Sequence, residues 1–86
     1  METTWYLYIL RCKDGTYYTG ITTDVEKRLE VHRSGKGAKY TRGRCPLELV
    51  YSENCAAHSH ALKRECEVKK LKKPEKEILI QTGNGS

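Results

Sequence analysis

With 86 residues the chain is long enough for one small domain and too short for two. Hydrophobic residues at 37% and charged residues at 31% fit a folded domain, and no apolar run approaches the roughly 20 residues of a membrane helix. Lys and Arg number 16 against 11 Asp and Glu, a net charge of +5 that favours polyanionic partners, nucleic acid first.

Residues 1–4 carry no basic side chain, and residues 5–10 are too few and too aromatic for a signal peptide. A cytoplasmic protein with no membrane partner is expected. Residues 5–12, rich in aromatic and branched side chains, read as a strand, and residues 16–22 as a second. Lys13-Asp14-Gly15 between them is a hairpin signal with two solutions. A two-residue Asp14-Gly15 turn pairs Cys12 with Tyr17 and sends Tyr8 and Tyr18 to opposite faces. A three-residue loop with Gly15 in the left-handed conformation pairs Cys12 with Thr16. The longer loop is favoured because it sorts the side chains. Trp5, Leu7, Ile9, Tyr17 and Ile21 then form one face, a core surface. Tyr6, Tyr8, Leu10, Tyr18 and Gly20 form the other, with Tyr8 opposite Gly20, where a missing side chain leaves room for the ring.

Thr23-Asp24-Val25-Glu26 matches a capping box with Thr23 at the cap, so a helix is predicted from about residue 24 to 33, stopping near Gly35. Val25 and Leu29 face the core. Arg28 and His32, also four apart, share a neighbouring face. Residues 34–44 are a loop dense in Lys, Arg and Gly, without the spacing of a phosphate-cradling loop. Residues 46–51 alternate as a third strand. A second helix over 56–73 has Ala57, Ala61, Val68 and Leu71 as its apolar stripe. Glu65 projects about 60° from the centre of that stripe, a border position that unpaired carboxylates avoid. Pro74 ends this helix or starts the next turn, and a short last helix is expected over 75–80. Residues 3–80 then make the domain and 81–86 a frayed, flexible tail.

The four cysteines, Cys12, Cys45, Cys55 and Cys66, contain no Cys-x-x-Cys pair and read as reduced thiols. Cys55, His58, His60 and Cys66 are the nearest thing to a zinc cluster, though their spacing matches no established pattern. A zinc-stabilised interaction domain is the less favoured alternative.

Tyr6-Leu7-Tyr8, with Tyr18-Thr19-Gly20 ten residues on, resembles the two tripeptides that name the GIY-YIG nucleases. Arg28 lies eight residues past Gly20 on the first helix, and Glu65 nine residues before Pro74 on a later one, where that family has its arginine and its metal-binding glutamate. The chain looks closest to the small single-domain members, to whose sequences residues 20–24 and 35–39 are similar. Tyr6, Leu7 and Thr19 depart from the tripeptides, while both tyrosines and the glycine stay in place.

The resemblance implies an α/β (α+β) fold, a mainly antiparallel three-stranded sheet flanked by helices. It implies a metal-dependent endonuclease of low sequence specificity, acting on DNA more readily than RNA. Tyr8, Tyr18, Arg28, His32 and Glu65 would form the catalytic face, with Glu65 holding Mg²⁺ or Mn²⁺. One tyrosine would act as base or orient the water, or His32 would take the proton. A free tyrosine titrates near 10, so an ionised one needs cations beside it. Tyr6, Gly20, Lys36, Lys39, Arg42, Arg44, Lys69 and Lys70 would contact the nucleic acid. A chain with no room for a recognition domain points to weak binding or to a protein partner that delivers substrate. A nucleic-acid-binding module of the same fold without cleavage is the main alternative.

Overall fold

The computed structural model describes residues 4–34 and 47–84. Among these the chain forms β1 (Trp5–Arg11), β2 (Tyr17–Thr22), α1 (Val25–Arg33), β3 (Glu48–Cys55), α2 (His58–Lys69) and α3 (Lys73–Asn84). The sheet order is β2-β1-β3 and both pairings are antiparallel, the α+β architecture expected.

The hairpin takes the three-residue loop. Cys12 N–H donates to the Thr16 carbonyl at 2.8 Å, Gly15 N–H to the Cys12 carbonyl at 2.9 Å, and Gly15 has φ +85°. Tyr8 therefore pairs with Gly20 and Leu10 with Tyr18. β1 is central and buried on both faces, which is why its sequence is a nearly continuous apolar run. One face gathers Leu7, Ile9, Tyr51, Cys55, Ala61 and Val68 beneath α2 and α3. The other gathers Tyr8, Leu10, Cys12 and Leu47, with Val25 and Leu29 of α1 packed on it.

Several boundaries differ from the expected ones. The cap of α1 is Asp24, one residue after Thr23: its Oδ1 accepts from Lys27 N–H at 3.1 Å, while the Thr22 hydroxyl accepts from Asp24 N–H. A carboxylate at the cap also meets the positive end of the helix. β3 runs on to Cys55 through polar residues because Glu53 is satisfied there, accepting from the Tyr51 hydroxyl at 2.6 Å and from Arg64 Nε at 3.0 Å. α2 is shorter than expected at both ends. Ala57 is its exposed cap residue rather than part of the apolar stripe, and the His60 ring accepts from Ala56 N–H in place of a capping side chain. Pro74 has no N–H to continue α2, so the chain restarts as α3 with proline in its first turn and Glu75 accepting from Lys72 N–H. α3 extends beyond Ile80 to Asn84, through residues read as tail, and the Thr82 hydroxyl donates to the Ile78 carbonyl. No helix among the described residues is long and apolar enough to cross a membrane.

Candidate active site

The β1–β2 register puts Tyr8 and Tyr18 on the α1 face of the sheet, at diagonal positions on neighbouring strands. Their ring centroids are 6.3 Å apart. From above, α1 lowers His32 between them. The imidazole is fully buried, 6.0 Å from the Tyr8 ring and edge-on to the Tyr18 ring at 5.2 Å. Its Nε2 lies 2.9 Å from the Tyr8 hydroxyl. With the proton on Nδ1, that hydroxyl donates to Nε2.

Gly20 makes this possible. A β-carbon at that position would sit 2.6 Å from the Tyr8 hydroxyl oxygen and 2.7 Å from the ring carbon that bears it. Only a residue without a side chain lets Tyr8 lie flat across β2 and reach His32.

Burial and charge set the proton states. Desolvation pushes the Tyr8 phenol up to about 12, and the charges of Tyr18 and Glu65 act in the same direction; the nearby Arg28 guanidinium pulls it down by less. Arg28 alone therefore does not make Tyr8 a phenolate near neutrality. Burial also lowers His32 below its usual range, with the Arg28 charge adding to the effect, so the imidazole is neutral at pH 7. The pair is a neutral phenol against a neutral acceptor.

Glu65 lies on α2 with its side chain 22% exposed, and Lys69 sits one turn on at 3.6 Å. Tyr8, Tyr18, Arg28, His32 and Glu65 are thus linked by ring contacts, a hydrogen bond and mutual charge effects. Lys70 is exposed at the C-cap of α2. Tyr6 lies elsewhere, in a hollow with Asp24, Glu26 and Leu49 between α1 and β3. Lys36, Lys39, Arg42 and Arg44 fall outside the described residues.

Cys55, His58, His60 and Cys66 do not come together as a metal cluster. No group of three or more His, Cys, Asp or Glu side chains converges among the described residues. Cys55 is buried in the core and Cys66 exposed, the His58 ring packs on Trp5 at 4.3 Å, and His60 caps α2.

The family model described as the GIY-YIG catalytic domain matches residues 4–78. The chain is 51% identical over 83 residues to the UPF0213 protein YhbQ of Escherichia coli, covering 96% of this chain and 83% of that one. It is 50% identical over 80 residues to a UPF0213 protein of Natronomonas pharaonis, covering 93% and 94%. The solution NMR structure of the UPF0213 protein from Bacillus halodurans superposes with TM-score 0.63 at 50% identity, over 95% of this chain and 87% of that one. An NMR structure from E. faecalis gives TM-score 0.64 at 40% identity, over 94% and 88%. With its tyrosines, glycine, arginine and glutamate on one scaffold and a domain match over most of its length, the chain belongs to the GIY-YIG nuclease family, among the small UPF0213 proteins.

Proposed function

We propose that the protein is a metal-dependent endonuclease that hydrolyses phosphodiester bonds in nucleic acid, DNA in preference to RNA, with little sequence specificity. The observation that carries the reading is the 2.9 Å contact between the buried Tyr8 hydroxyl and a neutral His32. A water bound at Tyr8 gives its proton to the phenolic oxygen as the phenolic proton passes to His32 Nε2. Hydroxide attacks phosphorus, the bond from phosphorus to the leaving sugar oxygen breaks, that oxygen takes a proton from solvent, and the imidazolium holds the proton from the attacking water until it is released to solvent. No free phenolate forms, which suits a phenol raised to about 12. Arg28, adjacent to this oxygen, donates two hydrogen bonds to the phosphate in fixed geometry. Tyr18 packs edge-on against His32 and keeps the ring aligned.

The donor set suits a hard ion that retains most of its waters: one half-buried carboxylate, Glu65, and no converging cluster of ligands among the described residues. Mg²⁺ or Mn²⁺ held by Glu65 would supply the positive charge that offsets charge building on the phosphate and the leaving oxygen. Contacts made to phosphates read no sequence, so a protein partner would supply target choice.

The test is cleavage of labelled single- and double-stranded DNA, and of RNA, with Mg²⁺ or Mn²⁺, comparing wild type with Glu65→Gln, Tyr8→Phe and His32→Gln. Wild type is expected to cut and each variant to lose roughly a hundredfold or more. Binding with no cleavage by wild type would make the chain a binding module. Full activity in Glu65→Gln would place the metal elsewhere.

A further inference from the structure

β2 is an edge strand, and the face of it turned toward α2 and α3 carries a row of cations of which only Lys69 has a role so far. A hollow of about 330 Å³ opens beside Tyr18, with Tyr17, Lys69 at the end of α2 and Lys76 of α3 on its walls. Beyond Tyr17 a second hollow, of about 380 Å³, is walled by Arg11, Lys73 and Glu77 and reaches the hairpin turn at Gly15. The Lys73 ammonium stands 6.0 Å from the centre of the Tyr17 ring. Four cations and one carboxylate thus flank a single tyrosine. The row begins at Tyr18, the residue it shares with the His32 cluster.

The hollow at the start of α1, beside Tyr6, is walled by Asp24 and Glu26. A neighbouring hollow pairs Asp24 with Lys27 and Arg28, whereas the two beside Tyr17 carry four cations against one carboxylate. Each hollow beside Tyr17 has room for a hydrated phosphate, and each offers two cations to it.

We propose that the two hollows on either side of Tyr17 are phosphate subsites, holding the sugar–phosphate backbone of the substrate strand as it leaves the cleavage site along the β2 edge. The inference rests on the nuclease reading and adds to it a direction and two contact residues, Lys73 and Lys76, that the sequence does not single out. Lys69 belongs to the same track, where it also stands 3.6 Å from Glu65.

The experiment measures binding of the full chain to fluorescein-labelled DNA oligonucleotides in EDTA, so that nothing is cut, over a series of salt concentrations. Lys73→Ala and Lys76→Ala are compared with Lys63→Ala, which removes the same charge from an exposed position on α2 that walls neither hollow. Each subsite variant is expected to lower the slope of log K against log salt by about 0.7–0.9, and the double variant by about twice that. Affinity should fall about threefold per lysine at moderate salt. Lys63→Ala should bind like wild type. Equal losses in all three variants, or none, overturn the subsites, whether or not the wild type cleaves DNA in Mg²⁺. Selective losses without any cleavage would keep the subsites and overturn the nuclease.

Discussion

Gly20 faces Tyr8 across the β1–β2 ladder so closely that a single methyl group on Gly20 would fall 2.6 Å from the Tyr8 hydroxyl. The ring is 2% exposed and has His32 on its other side, so it has nowhere to retreat. Gly20→Ala should destabilise the fold by about 1–3 kcal/mol and separate the hydroxyl from His32. Thermal melting and cleavage assays check this. Wild-type activity in Gly20→Ala would mean that the Tyr8–His32 contact is dispensable.

Thr19 occupies the middle of the second tripeptide, where the family pattern has isoleucine, and its side chain turns into the core with Ile9 opposite. Its hydroxyl is buried without a hydrogen-bond partner among the described residues. An orphaned hydroxyl costs about 1–3 kcal/mol. Thr19→Val keeps the shape and removes the polar atom, so the melting temperature should rise, by roughly 4–8 °C per kcal/mol in a domain of this size. A lower melting temperature would mean the hydroxyl has a partner in solution.

His32 gives a pH signature. Its folded pKa is below the unfolded value of about 6.5, so between the two the unfolded chain binds more protons. Stability from this group is complete above about 6.5 and declines as pH falls through the lowered value. Cleavage should follow, because a protonated imidazole cannot accept from Tyr8. Acid denaturation of His32→Gln compared with wild type isolates the contribution; identical pH dependence in the two would assign the neutral base elsewhere.

Tyr8 gives the converse at alkaline pH. Its folded value, about 12, exceeds the unfolded value near 10, so the stability it contributes is complete below 10 and lost as pH rises toward 12. In absorbance titration at 295 nm, Tyr8 should ionise in a late step well above the usual tyrosine range, as should Tyr51, which burial and Glu53 also raise. Tyr8→Phe should remove part of that late step.

The hairpin and its register are legible in the sequence because alternate residues must sort into two faces, and only one loop length sorts them. Val25, Leu29, Arg28 and His32 are legible for the same reason at helical spacing. What the sequence hides are choices made between elements. Glu53 reads as a solvent charge until Arg64 and Tyr51 are brought to it, so β3 appears to end too soon. The division between α2 and α3, and hence the placing of Lys73 and Lys76 beside Tyr17, depends on how α3 docks on the sheet. The proton states of Tyr8 and His32 come from burial, which no spacing reveals.

Asp14 accepts from both the N–H and the hydroxyl of Thr16, at 3.1 and 2.6 Å, in the same turn that Gly15 closes. Shortening this loop by one residue would rotate every side chain of β2 to the reverse of the ribbon, leaving Gly20 where no ring needs it and Tyr18 among the aliphatics. Three residues of ordinary turn chemistry thus determine whether the site can assemble at all.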